Sequence, residues 1–302
     1  MGRIPLGWSG IAIHKDINED CKLYHYYTME NFIKLYNSNR LHLTKIYNWD
    51  DPWELPYRFI DVDKKYDFAH FILNRNNLSL KNDVFNHYYE AAGFCFTKNE
   101  DCEFMWKNYA HSYGVCVETT ARDVIESVKD NKMRSLFIAP VKYFDIKENT
   151  KEILLNEDRK YYPSTTWMGY IKRMNYAHEN EVRMIVVPAH TDIQINDIRI
   201  DLDKYINRII LYPDICDKEC DCNWEIHEKQ RIELFRKDFP KLKSDISISN
   251  IYKCKEISID DFESSEECEI KLNGSSYPKG CKMIYIFDNN GDLVPFDRYL
   301  EL

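Results

Sequence analysis

Between Leu23 and Thr44 the hydrophobic pattern changes period twice, which commits the chain to a mixed architecture. Leu23 to Tyr27, LYHYY, is dense in the aromatic side chains that suit a pleated, half-buried surface, and it reads as a strand. Thr28 follows as an N-cap. Met29, Phe32, Ile33 and Tyr36 then recur at i, i+3, i+4 and i+7, one apolar stripe of a helix that Asn39 ends. Leu41 and Leu43 next alternate with His42 and Thr44, a second strand. The connecting helix is short enough that both strands are expected in one sheet.

The alternation continues without repeats or low-complexity linkers. Strands are expected at Gly93 to Thr97, Gly114 to Glu118 and Phe137 to Phe144, with a helix from Asp101 to Ala110. Thr120 caps a helix bearing Val124, Ile125 and Val128 on one face, and Thr165 caps another bearing Trp167, Tyr170, Ile171 and Met174. Further strands follow at Glu181 to Val187 and Arg208 to Tyr212, then a polar-faced helix around Trp224 to Lys237 and a strand-rich tail containing KMIYIFD, Lys282 to Asp288. The expected organisation is an N-terminal arm (1–22), a main domain (23–252) and a small C-terminal β-rich extension (253–302).

At 302 residues, 44% apolar and 14% aromatic, the chain can bury a sizeable core. A net charge of -9 gives no broad cationic face for a phosphate backbone. No run approaches the roughly 20 apolar residues that span a bilayer, and the first residues, short and interrupted, are not expected to act as a signal peptide. A cytoplasmic protein is expected, and its ten cysteines read as thiols. Cys216, Cys220 and Cys222, near His227, offer a structural zinc set without clean CxxC knuckles, so a cysteine-rich loop is the simpler reading.

The sharpest chemical pattern is HENEVRMIVV, His178 to Val187. Alternation along a strand gathers Glu179, Glu181 and Arg183 on one face. One carboxylate of such a pair can stabilise a developing oxocarbenium ion, as in glycoside hydrolysis, while the other accepts a proton from the incoming nucleophile. The plainer reading is a polar strand entrance whose carboxylates neutralise Arg183 or a nearby lysine. His25, flanked by tyrosines, can donate from its ring to a hydroxyl or be a satisfied core histidine. Tyr27, Tyr47, Trp106 and Tyr109 are candidate stacking rings in a chain of 22 tyrosines. In DDPWE, Pro52 sets a turn, Asp51 can accept backbone hydrogen bonds and Trp53 can bury. Asp50, Asp51 and Glu54, with Glu179, also offer oxygen ligands for the magnesium of a nuclease. No GxGxxG or Walker loop follows a strand.

LYHYYTMENFIKLYNSNRLHLT, DDPWE, GFCFTKNEDCEFMWKNYAHSYGVCVE and HENEVRMI resemble, in order and spacing, the signatures of a bacterial family, domain of unknown function 2971. The first and last of these blocks resemble the histidine strand and glutamate strand of the ADP-ribosyltransferase-like superfamily. The resemblance implies an α+β protein with a mixed split sheet, flanking helices and NAD as substrate. It further implies that His25 orients the NAD ribose, that Thr44 or Tyr47 lines the second strand, and that Tyr109 or Tyr47 stacks on nicotinamide. Glu181 is then the catalytic glutamate and Glu179 the residue that activates the acceptor, with Tyr27, Asp51, Trp106 and Arg183 as further members of the cleft. The implied function is ADP-ribosyl transfer to a protein or nucleic-acid acceptor, as a toxin or anti-phage defence effector with partner proteins in a defence complex. NAD glycohydrolysis, a metal-dependent nuclease and a noncatalytic binding module are the alternatives.

Overall fold

The computed structural model describes residues 10–49, 91–111, 113–129, 133–145, 161–162, 166–188, 195–213, 224–251, 285–287 and 293–295. The chain divides into two compact units, Met1–Tyr252 and Lys253–Leu302. In the second, β14 (Tyr285–Phe287) and β15 (Leu293–Pro295) form an antiparallel hairpin.

The first unit is an α+β structure on a mixed sheet. Its strands are β1 (Gly10–Ile13), β2 (Lys22–Tyr27), β4 (Thr44–Lys45), β5 (Ala92–Thr97), β6 (Val115–Thr120), β7 (Met133–Pro140), β10 (Glu181–Pro188), β12 (Arg208–Leu211) and β13 (Asp245–Ile248). They run in the order β1-β7-β10-β5-β2-β6-β12-β13, with β4 also on β5. β1 with β7 and β12 with β13 are parallel, and the remaining pairs are antiparallel.

Alternation along these strands builds different cores on the two faces. One face carries Leu23 and Tyr27 of β2, Phe94 and Phe96 of β5, Val115 and Val117 of β6, and Val182 and Met184 of β10. Helix α1 (Met29–Ser38) covers it with Phe32, Leu35 and Tyr36, α2 (Ala121–Ser127) with Val124, and α3 (Trp224–Asp238) with Phe235. The opposite face holds two separate clusters. One, around Trp49, Phe137, Trp167, Tyr170 and Ile185, lies over the β7-β10-β5 half. The other, around Tyr24, Tyr26, Met105, Trp106 and Ile210, lies over β2-β6-β12.

The caps read from sequence are made. The Thr28 hydroxyl accepts from the Asn31 N–H at 3.3 Å, and Asn39 closes α1 in the left-handed region at φ 52°. Thr120 Oγ1 accepts from the Asp123 N–H at 3.1 Å at the start of α2. Thr120→Ala is expected to destabilise the protein by about 1 kcal/mol; an unchanged urea midpoint would contradict that role.

Four expectations are corrected. The strand after α1 does not join the sheet of β2 as one piece: β3 (Arg40–His42) pairs with β11 (Asp197–Arg199) in a separate ladder, and only Thr44–Lys45 reaches β5. Both Leu41 and Leu43 bury, so the chain follows them away from the sheet edge before returning. The helix expected after Thr165, itself outside the described residues, is instead a 3-10 turn (Trp167–Tyr170), strand β9 (Ile171–Arg173) and a second 3-10 turn (Met174–Glu179). Its apolar spacing serves burial of Trp167, Tyr170 and Ile171 under the sheet. The segment Phe137 to Phe144 breaks after Pro140 into β7 and β8 (Lys142–Phe144), which pairs with β9. The helix to Ala110 is a short α-helical turn, Glu103–Met105, continued by π-helix, Trp106–Ala110.

Candidate active site

The site begins where the sheet stops being continuous. Along one edge β5 pairs with β10 from Thr97 to Ala92. Its other edge is shared, with β2 pairing at Tyr24↔Thr97 and β4 at Thr44↔Gly93 and Lys45↔Ala92. Between those contacts Phe94 to Phe96 have, among the described residues, no strand partner on that edge. The excursion of the chain through α1 causes this, since β2 and β4 diverge before returning to the same neighbour.

His25 fills the gap. Its Nδ1 donates to the Cys95 carbonyl at 2.6 Å, and its ring stacks on Phe94 with centroids 4.2 Å apart. Because a carbonyl only accepts, the proton is on Nδ1 and Nε2 of the neutral ring is an acceptor. Burial pushes the imidazole down to about 4 against the opposing pull of the Cys95 carbonyl, so the ring is neutral at physiological pH. The expected donor role of His25 is therefore corrected to that of an acceptor.

Above the split, between the two clusters of the opposite face, lies a cleft of about 280 Å³ that His25, Glu179, Glu181, Arg183, Lys172 and Tyr109 help to line. Glu179 is not on the strand as alternation suggested. It ends a 3-10 turn, and Asn180 takes the left-handed conformation at φ 47° before β10 starts at Glu181. That turn returns both carboxylates to one cleft. It is pinned to β5 by Thr97 Oγ1 donating to the Glu179 carbonyl at 2.6 Å, and by the Lys98 N–H donating to the Asn180 carbonyl at 3.1 Å.

The side chains of Glu179, Glu181, Lys172 and Arg183 are all buried. Arg183 donates to both Glu181 oxygens, from Nε at 2.7 Å and Nη2 at 3.0 Å, and its Nη1 donates to the Gly169 carbonyl at 2.7 Å. Lys172 Nζ bridges the pair, 2.5 Å from Glu179 Oε2 and 3.1 Å from Glu181 Oε2. Tyr109, set on the π-helix, donates to Glu179 Oε1 at 2.7 Å; such helices often mark functional positions. Burial alone would raise Glu181, but the charges of Arg183 and then Lys172 outweigh it and hold the carboxyl at about 2. Burial, reinforced by the Glu179 carboxylate, raises the Tyr109 phenol.

The Trp49 ring lies 4.2 Å from the Arg183 guanidinium, and it can do so because residue 93 is glycine. A Cβ at Gly93 would stand 2.5 Å from Trp49 Cζ2. Gly93→Ala is expected to destabilise by about 1–3 kcal/mol as Trp49 is displaced, read as a lowered denaturant midpoint; an unchanged midpoint would refute the wedge.

The remaining expected members lie elsewhere. Tyr27 and Trp106 are buried in the cores, the first bonded to the Tyr205 hydroxyl at 3.2 Å and the second donating from Nε1 to Asp101 at 2.8 Å. Thr44 and Tyr47 follow the departing chain and do not line the cleft. Asp50, Asp51, Pro52, Trp53 and Glu54 lie outside the described residues, as do Cys216, Cys220 and Cys222. Among the described residues no three His, Cys, Asp or Glu side chains gather as a metal set, and both Glu179 oxygens are engaged by Lys172 and Tyr109. No described helix is long and apolar enough to cross a membrane. The sequence reading did not single out Lys172, Trp49 or Tyr143, whose hydroxyl accepts from the Glu181 N–H at 2.9 Å. The signal for Lys172 was the charge count: two buried carboxylates and one arginine call for a second cation.

Residues 105–184 match the model of a family described as protein of unknown function (DUF2971). That stretch carries Tyr109, Lys172, Glu179, Glu181 and Arg183, so the family resemblance is shown over the charged part of the cleft. No curated protein matches the chain. A solved structure of Thermus sp. 2.9 DarT in complex with ADP-ribosylated ssDNA is similar at a TM-score of 0.32 and 9% identity, covering 78% of this chain and 97% of that one.

Proposed function

We propose that the cleft binds NAD as substrate and that the protein is an ADP-ribosyltransferase acting on a protein or nucleic-acid acceptor. The observation that carries this reading is the Glu181 carboxylate, buried yet held ionised at the floor of a cleft that opens through a split in the sheet. Breaking the bond between nicotinamide and ribose sends the electron pair out with nicotinamide and leaves positive charge on the sugar. A fixed, desolvated carboxylate stabilises that charge without reorganisation. The acceptor's oxygen or nitrogen then forms the new bond to the ribose carbon, and Glu179 takes its proton. His25, through Nε2, accepts from a ribose hydroxyl. At about 280 Å³ the cleft is at the lower end of ligand pockets, roughly 300 Å³ upward, and suits nicotinamide and its ribose rather than a whole dinucleotide.

A second reading has its own observation: the four buried charges satisfy one another, as in a noncatalytic binding module. One experiment separates these. The full chain is incubated with NAD labelled on the adenylate, with and without cell lysate, beside Glu181→Gln. Nicotinamide release lost in the variant supports the enzyme. Label on macromolecules indicates transfer and free ADP-ribose indicates glycohydrolysis. No release under either condition sinks the reading.

A further inference from the structure

We propose that Lys172 is a positioning residue of the glutamate pair: its ammonium, wedged between the Glu179 and Glu181 carboxylates, is what allows both to stand ionised toward one cleft. The charge on these carboxylates stands on geometry alone, whereas its catalytic consequence rests on the NAD reading above.

The two glutamates have unequal support. The Glu181 carboxylate keeps two bonds from Arg183 whatever Lys172 does. Glu179 has the Tyr109 hydroxyl on one oxygen and Lys172 Nζ on the other, the latter at 2.5 Å. The other ionisable groups facing the pair compensate little. From β5, Cys95 donates to Glu181, and from β2, His25 is neutral and tied to the Cys95 carbonyl. Tyr176, on the turn leading to Glu179, offers only its ring to the ammonium, 4.8 Å away. Removing Lys172 thus leaves two buried carboxylates facing one guanidinium. Like charges sharing a site drive one of them to take up a proton. The proton goes to Glu179, because Arg183 remains bound to Glu181.

Lys172 also has a defined local origin. It is the middle residue of β9, whose ladder with β8 sets it opposite Tyr143, and β9 runs directly into the turn that ends at Glu179. The cation and its less supported partner are therefore carried by one short segment, placed against β10 as a unit.

The test is a carboxyl titration of the purified full chain, followed by infrared or carbon NMR of labelled glutamate. It needs no substrate and so fails or succeeds independently of the NAD reading. In the wild type the Glu181 carboxyl stays ionised between pH 5 and 8. In Lys172→Met one carboxyl is expected to titrate higher by roughly two pH units, a hundredfold in proton affinity. Lys172→Arg abolishes this new titration, and so does Glu179→Gln added to Lys172→Met. A Lys172→Met protein with no new titration above pH 5 overturns the proposal, as does one whose new titration survives Glu179→Gln. If Lys172→Met does not fold, the double variant, which removes one charge of each sign, is expected to fold. Its failure would assign Lys172 to packing instead. Where nicotinamide release is measurable, Lys172→Met gains a pH limb that Lys172→Arg lacks.

Discussion

Arg183→Leu is expected to destabilise the protein by about 3–5 kcal/mol, the range found when one partner of a buried ion pair is removed. The side chain is 1% exposed and, among the described residues, donates twice to Glu181 and once to the Gly169 carbonyl while covering the Trp49 ring. Leucine supplies none of these and leaves Lys172 as the cation bonded to the two carboxylates among the described residues. Since a whole domain is stable by only about 5–15 kcal/mol, the change takes a large share, readable as the urea midpoint. The pH dependence has a definite sign. Glu181 is held at about 2, below the ordinary carboxylate range, so its contribution is fully present above that range and is lost as pH falls toward about 2. The gap between wild type and variant therefore narrows on acidification. Adding Glu181→Leu removes the uncompensated charge, so the double variant should be more stable than Arg183→Leu. A double variant less stable than the single would show that the cluster is not held by charge balance.

Glu181→Gln is expected to lower nicotinamide release by about 10²–10³-fold, the usual effect of removing one group aimed at transition-state charge. The fall should lie in kcat with KM little changed, because glutamine keeps the shape and the charge is needed only as the glycosidic bond breaks. With the carboxyl at about 2, the wild-type rate has no limb from this residue between pH 5 and 8. Glu179→Gln separates the two carboxylates: transfer of label to acceptor should drop more than nicotinamide release. Glu181→Gln at the wild-type rate would end the assignment of Glu181.

The local elements of the fold were legible wherever a period or a cap is a local property. Thr28, Thr120 and Asn39 act as read, and β2, α1, β5, β6 and β10 lie where their patterns put them. What failed depends on partners far along the chain. Leu41 and Leu43 alternate like any strand, and nothing in them says that Ile198 rather than the main sheet lies opposite Leu41. Trp167, Tyr170 and Ile171 have helical spacing but are buried by strand and 3-10 geometry, packed in one cluster with Phe137 of β7 and Ile185 of β10. In the cleft, HENEVR pointed to the right companions by the wrong route, since the left-handed turn at Asn180 and not alternation brings Glu179 beside Glu181. Its plainer reading, neutralisation of Arg183 and a lysine, also describes the geometry, and a poised carboxylate is compatible with both.

The break between β2 and β5 makes the cleft by subtraction. Among the described residues it lies where β5 backbone could have been laddered and is not, with the His25 side chain bonded to the Cys95 carbonyl. Position 25 thus acts as a spacer in an unfinished zip. A residue there that cannot donate would leave the Cys95 carbonyl without this bond, and the pocket would be open to loss from below, by β2 and β5 laddering onward from Tyr24 and Thr97, while every residue on its walls stayed in place.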